Sequence, residues 1–119
     1  MIRLNSIFCL LILGMIGTPA AADEDIFKIG VEALNKKDYY FAVACFDDVI
    51  RRDSKNAEAH YYLGLAHHGR GDYDGAIKDF SEAIKVNPKY VQAYTSRGNV
   101  YVDQKKYENA IEDHRRPFS

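Results

Sequence analysis

A regular internal repeat constrains this chain more than any other feature of its sequence. When the sequence is aligned with itself at a shift of 34, and again at twice that shift, three columns are identical in all three copies. They hold a glycine, a tyrosine and an alanine: Gly30/Gly64/Gly98, Tyr39/Tyr73/Tyr107 and Ala42/Ala76/Ala110. Self-similarity at such a period is typical of arrays in which each unit buries its apolar face against its neighbours. The predicted units are residues 23–56, residues 57–90 and an incomplete unit at residues 91–119.

Each unit is predicted to form two helices, as the middle unit illustrates. Ala59, Leu63 and Ala66 recur at helical spacing, and the glycines at residues 69–71 then break the run. Asp72 is a candidate N-cap for the second helix. The apolar face of that helix holds Tyr73, Ala76, Ile77, Phe80, Ala83 and Ile84. We therefore expect an all-α fold of six helices in antiparallel pairs, with the last helix cut short near Arg116.

The repeated small and aromatic residues have a physical explanation. Gly64 and Ala76 have little or no side chain, which suits positions where two helices approach closely. Tyr73 and Phe80 are expected to fill the space between one helix pair and the next. A single pair cannot bury such a face, so stacking of neighbouring pairs is required.

The middle unit resembles a full tetratricopeptide repeat. It carries the signature positions Leu63, Gly64, Ala76, Phe80, Ala83 and Pro88. His60 and His67 stand where the family usually has tryptophan and tyrosine, and Ser54 of the first unit stands where the proline would fall. The resemblance implies an α-solenoid with two full repeats and one truncated repeat, and it implies binding of a protein or peptide partner rather than catalysis.

The resemblance also implies where the partner binds, namely in the concave groove built from the first helix of each pair. The candidate groove residues are Phe27, Val31, Leu34, Tyr61, Leu65, His68 and Asn99. Some family members hold a terminal carboxylate with Lys, Asn and Arg, whereas this chain has Phe27, Val31, Tyr62, Gln92 and Ser96 at those positions. We therefore expect an apolar or amphipathic segment as ligand. Packing of these apolar residues between repeats is the alternative.

Residues 1–22 read as a cleavable signal peptide. Arg3 precedes a nearly continuous apolar run at residues 7–16, and three alanines at residues 20–22 offer a cleavage site. The run is shorter than the roughly 20 apolar residues that span a bilayer. We expect export to the periplasm or secretion, with no membrane insertion after cleavage before Asp23. A retained membrane anchor is the alternative.

Charge gives no indication of a nucleic-acid partner. Removing Arg3 from the 16 basic residues leaves 15 against 17 acidic ones, a net charge of −2. Nucleic-acid binding depends on clustered Lys and Arg, and no such cluster is present.

The sequence contains no pattern of catalytic, cofactor or metal-binding residues. His60, His67 and His68 lack the spacing of four that two ligands on one helix face usually have. We expect His60 and His67 to pack and His68 to face the groove. Asp47, Asp48 and Asp53 are expected on a solvated helix face. Cys45 is expected to be a small buried hydrophobe, the alternative being a thiol that pairs with another chain.

The repeat register is lost after Asp113, and Pro117 cannot continue a helix. Either the array is truncated or altered in frame there, or a partner covers this end, a second copy of the chain included. Two functions stay open: an interaction scaffold, and an accessory fragment of a larger exported enzyme or assembly factor.

Overall fold

A computed structural model describes residues 19–116, which form six α-helices and no strand. The helices are α1 Pro19–Asn35, α2 Tyr39–Arg52, α3 Ala57–Gly69, α4 Tyr73–Val86, α5 Val91–Asp103 and α6 Tyr107–Arg115. This confirms the all-helical solenoid predicted from the internal repeat, including a last helix that ends near Arg116.

Three of the helices begin at a side-chain cap. Asp38, Asn56 and Asp72 accept hydrogen bonds from the backbone N–H three residues ahead, at 3.3, 3.0 and 3.0 Å. Such caps satisfy backbone donors that the helix itself leaves unpaired. The predicted cap at Asp72 is confirmed.

The turn inside each helix pair has the same left-handed backbone. Lys37, Gly71 and Lys105 occupy the same position in successive repeats and have φ values of 63°, 81° and 62°. Only glycine adopts this conformation without a steric cost. The middle repeat therefore has the relaxed turn, and the first and third repeats have lysine in a strained one.

The helices form two layers. Each pair packs on the next one, because α2 contacts α3 and α4 contacts α5. The first helices α1, α3 and α5 also contact their neighbours, whereas within residues 19–116 the second helices do not contact one another. The first helices therefore form the inner, concave layer, and the second helices spread apart on the outside.

Close helix approach at Gly64 explains why glycine recurs at this position of the repeat. A Cβ atom there would lie 2.6 Å from Cε1 of Phe80, which is fully buried. Phe80 also belongs to a core cluster with Ala76 and Val100, so it packs within its own pair and against the third repeat. The expectation that Phe80 fills the space between pairs is confirmed.

Two predictions about α2 have different outcomes. Cys45 is fully buried in a core cluster with Ile26 and Val49, as expected. Asp48 was expected on a solvated face, and that is wrong, since it is only 5% exposed. The reason is that Asp48 shares the inward face of α2 with the buried residues Ala44 and Cys45, at spacings of four and three. Arg51, one turn later, donates a hydrogen bond to its carboxylate.

The third repeat leaves apolar side chains exposed. Tyr107 and Ile111 of α6 are 57% and 61% exposed. Their equivalents one repeat earlier, Tyr73 and Ile77, are partly buried against the cluster that contains Val100 of α5. The exposed face of α6 is thus the surface that a following helix covers in the preceding repeat.

Residues 1–18 of the predicted signal peptide lie outside the described residues. Helix α1 begins at Pro19, ahead of the predicted mature start at Asp23. Of the helices in the described range, none is long and apolar enough to cross a membrane. Signal cleavage and export stay predictions.

Candidate peptide-binding groove

A row of four aromatic side chains crosses the inner layer of the array. Phe27 of α1 contacts Tyr62 of α3 with ring centroids 5.3 Å apart, and Tyr62 contacts Tyr61 at 5.3 Å. Tyr61 then contacts Tyr90, which precedes α5, at 5.2 Å. Aromatic contacts of this kind are favourable beyond the area they bury. The row therefore joins the first and second repeats along the surface that the first helices form, and it ends at Tyr90, directly before α5.

The first of three depressions on this surface lies between α1, the end of α2 and the start of α3. Its volume is about 510 Å³, within the range of typical binding pockets. Phe27 supplies its apolar surface. The described residues that line it are Glu24, Phe27, Lys28, Val49, Asp53, Asn56 and Glu58.

The second depression, of about 800 Å³, continues directly from the first. The two share Asp53, Asn56 and Glu58. The second adds three tyrosines and the loop before α5, so that its remaining lining is Lys55, Ala57, Tyr61, Tyr62, Asn87, Lys89, Tyr90 and Gln92. Together they form an extended trough beside the aromatic row.

The third depression lies near the opposite ends of α1 and α3 and measures about 480 Å³. It contains three predicted groove residues, Leu34, Leu65 and His68, together with Asn35, Lys37, Tyr39 and Gly69. His68 Nε2 lies 2.6 Å from Oδ2 of Asp103, which ties α3 to α5.

The remaining predicted groove residues are placed differently. Val31 is half-buried against the core cluster that contains Phe46, and it lines none of these three depressions. Asn99 is exposed, and a hydrogen bond of 3.1 Å joins its Oδ1 to Nε2 of His114 in α6. The structure thus brings Phe27 and Tyr61 to the trough, groups Leu34, Leu65 and His68 at the other end, and leaves Val31 and Asn99 apart.

Several groove residues also pack between helices, so the two interpretations of them are compatible. Phe27 contacts Phe46 as well as Tyr62, and Tyr61 contacts Phe80. Leu65 packs on the same cluster as Phe80. Truncating these side chains therefore removes core contacts as well as groove surface.

Residues from the loops between repeats were missed by sequence reasoning. Asp53 and Asn56 line the trough from the first loop, and Asn87, Lys89 and Tyr90 from the second. Positions 53 and 87 are equivalent in the repeat, and so are positions 56 and 90. This equivalence could have indicated that both loops line the same trough. The groove prediction considered only the first helix of each pair and therefore did not include these loop residues.

Glu58 acts on two tyrosines of the trough. Burial raises the pKa of the Tyr62 hydroxyl, and the nearby Glu58 carboxylate raises it further. The same two causes, in the same order, raise the pKa of Tyr90. Both phenols therefore stay protonated at neutral pH and are available as hydrogen-bond donors.

His60 and His67 lie away from the groove, as expected for packing positions. His60 is buried, with Nε2 2.8 Å from the Ser54 carbonyl oxygen, and His67 Nδ1 lies 2.5 Å from Oδ2 of Asp79. Within residues 19–116, no group of three His, Cys, Asp or Glu residues is arranged to hold a metal ion.

Family models described as Tetratricopeptide repeat match residues 57–90 and residues 91–115. The first match has the bounds of the predicted middle unit. No catalytic family is indicated by these matches. A comparison with curated protein sequences gave no match.

Solved structures share the fold. The TPR2B domain of yeast Sti1, in a complex with pHsp70, is 26% identical with a TM-score of 0.74, over 76% of this chain and 73% of that one. The second TPR of Spaghetti (RPAP3), bound to the HSP90 peptide SRMEEVD, is 24% identical with a TM-score of 0.73, over 76% and 84%.

MamA is 24% identical with a TM-score of 0.74 over 77% of this chain, and this chain spans 54% of the MamA chain. Residues 57–115 of the present chain are therefore tetratricopeptide repeats, and residues 19–116 have the tetratricopeptide solenoid fold.

Proposed function

We propose that this chain is a protein-interaction scaffold that binds an apolar or amphipathic segment of a partner in its concave groove. The observation that carries the proposal is the trough beside the aromatic row Phe27, Tyr62, Tyr61 and Tyr90. Aromatic side chains in concave sites supply much of the energy of peptide contacts. One structural relative is bound to an HSP90 peptide and another is in a complex with pHsp70, and both complexes support a scaffold function for the fold.

The chemistry of the groove differs from what an acidic peptide such as SRMEEVD requires. The positions where some family members hold a carboxylate with Lys, Asn and Arg are Phe27, Val31, Tyr62, Gln92 and Ser96 here, and none of them is cationic. Apolar contact is therefore the principal source of affinity in this proposal. The signal-peptide pattern of residues 1–22 supports export, so the proposed interaction occurs in the periplasm or outside the cell.

The test is binding of labelled amphipathic peptides to the full chain, followed by chemical-shift mapping of the complex. We expect the perturbed amides to lie on α1, α3 and α5 and in the two loops between repeats. Helix α4 and the part of α2 that precedes Val49 supply an internal control, because they line neither of the two depressions that form the trough. Perturbations confined to α2 and α4 would place the binding site on the convex side and contradict the proposal.

The alternative function, an accessory fragment of a larger exported enzyme or assembly factor, has one observation in its favour. Tyr107 and Ile111 are exposed at positions that a following helix covers in the middle repeat. A further helix, a partner or a second copy of the chain fits this face. Analytical ultracentrifugation of the wild type and of Ile111→Lys tests for the second copy. If the chain self-associates through this face, the wild type sediments as a dimer and Ile111→Lys as a monomer. If it does not, both forms sediment as monomers.

A further inference from the structure

The first depression carries an excess of negative charge that the second one lacks. Glu24, Asp53 and Glu58 line the first, with Lys28 as the only basic residue among them. In the second depression Asp53 and Glu58 are balanced by Lys55 and Lys89. The acidic excess is therefore local, in a chain whose formal net charge is only −1.

The carboxylates of Glu24 and Glu58 are available to a ligand. Both residues are exposed, and in the part of the chain that the structure describes neither has a salt-bridge partner within 4.0 Å. Asp53 is already engaged, because its Oδ1 accepts a hydrogen bond of 3.1 Å from the Lys55 N–H. Negative groups that line a concave surface focus their field and favour a cation there.

The floor of the same depression suits the stem of a long basic side chain. The half-buried Phe27 supplies apolar surface beside the carboxylates, whereas Val49 lines the depression with only 3% of its surface exposed. Contacts with Phe46 and Tyr62 fix the Phe27 ring. Lysine and arginine bury their methylene stems on such surfaces while the charged end stays near solvent. A cation within about 6 Å of an aromatic ring gains further attraction from the ring.

We propose that the first depression binds a lysine or arginine side chain of the partner segment, so that the segment is amphipathic and basic rather than acidic. This inference rests on the proposed function, since it names the kind of segment that the trough accepts. The basic side chain lies between Glu24 and Glu58 on the exposed part of Phe27. Apolar side chains of the same segment continue along Tyr61 and Tyr90.

The experiment uses the full chain and three fluorescein-labelled amphipathic peptides of equal length. The peptides share their leucine positions and differ only in having Arg, Gln or Glu at the polar positions. We expect the Arg peptide to bind at least about 10-fold more tightly than the Glu peptide. The Gln peptide is expected to have an intermediate affinity.

Variants then locate the charge effect. Glu24→Gln and Glu58→Gln are each expected to weaken the Arg peptide about 3- to 10-fold and to change the Gln peptide by less than about 2-fold. Glu108→Gln is the matched control, because Glu108 is also exposed in the first turn of a helix, but in α6. It is expected to leave both affinities unchanged.

The outcomes separate the two proposals. Equal binding of the Arg and Gln peptides, with no effect of Glu58→Gln, overturns the basic-segment inference and leaves the scaffold function standing. An equal effect of Glu58→Gln and Glu108→Gln overturns it as well, because the attraction then comes from the whole chain. Failure of all three peptides to bind contradicts both proposals.

Discussion

Arg97 forms two hydrogen bonds with Asp113 inside the third repeat, from Nε to Oδ2 and from Nη2 to Oδ1, each 2.8 Å long. The side chains are only 19% and 5% exposed. A third hydrogen bond, from Arg97 Nη1 to Ser81 Oγ at 3.0 Å, reaches back to α4. One guanidinium therefore joins α4, α5 and α6.

Breaking this pair on one side is expected to be costly. Arg97→Ile leaves the Asp113 carboxylate buried without its partner, which typically costs about 3–5 kcal/mol of unfolding free energy. The first repeat has Ile29 and Cys45 at the equivalent positions. The double variant Arg97→Ile/Asp113→Cys copies this pair and is expected to recover most of the lost stability. Urea unfolding measures both. A double variant that is no more stable than Arg97→Ile would contradict this explanation.

Gly64 is expected to tolerate no larger residue. Its substitution by leucine pushes side-chain atoms into the Phe80 ring, and overpacking of this kind typically costs about 1–3 kcal/mol or more. The compensating double variant Gly64→Ala/Phe80→Leu is expected to be more stable than Gly64→Ala with Phe80 intact. Thermal unfolding followed by circular dichroism tests this. The exposed Thr95→Ala of α5 is the control, with an expected change within about 0.5 kcal/mol.

The hydrogen bond between His67 and Asp79 is expected to make stability depend on pH. It is the main cause that raises the pKa of His67 above its ordinary 6.5, against the opposing effect of burial. Because the folded-state pKa is the higher one, this stabilisation is complete below the unfolded pKa and is lost as pH rises through the folded pKa. The difference in unfolding free energy between wild type and His67→Gln should therefore be larger at about pH 5.5 than at about pH 8.5. If this difference in unfolding free energy were the same at both pH values, the hydrogen bond to Asp79 would not be its cause. The same would follow if its pH dependence persisted unchanged in an Asp79→Asn background.

The third repeat is expected to open first. Helix α6 has 9 residues against 14 in α4, and its Tyr107 and Ile111 are exposed where the equivalent residues of α4 pack on α5. Stability in a stacked array is close to a sum of unit and interface terms, so a terminal unit whose second helix is short and poorly covered frays first. Hydrogen exchange of the dilute chain should show faster exchange in α6 than in α4. Equal protection would contradict this, and protection that appears only at high concentration would indicate that a second copy covers α6.

Relieving backbone strain at the third turn is expected to stabilise the chain. Lys105 has a φ of 62°, and Gly71 occupies the equivalent position in the middle repeat. Lys105→Gly should gain about 0.5–1 kcal/mol. Lys85→Gly, within the last turn of α4, should lose about 1 kcal/mol and serves as the control of opposite sign. If both substitutions destabilise the chain equally, Lys105 is not strained.

The sequence predicted the fold well because the fold depends on the residues that repeat. Gly64 and Phe80 recur with the period, and the structure places them in contact. The polar pairs could not be predicted in this way, because they occur once each. Arg97 and Asp113 have no counterpart pair in the first repeat, and the partner of His67 lies 12 residues away on another helix. The groove residues stay a prediction, although Phe27 and Tyr61 do line the trough. The loop residues Asp53 and Tyr90 were missed because the prediction considered only the first helix of each pair.

The arrangement in two layers has a mechanical consequence. Each of the first helices α1, α3 and α5 contacts the next one on the inner side of the array. The second helices have no contacts with one another in the described part of the chain. Bending of the array therefore uses the inner contacts as its pivot, so the outer spacing changes while the inner length stays fixed. We therefore expect the length of the groove to stay constant while its depth varies. In the proposed function, such a groove would select partners by the spacing of their side chains and would accommodate segments of different thickness.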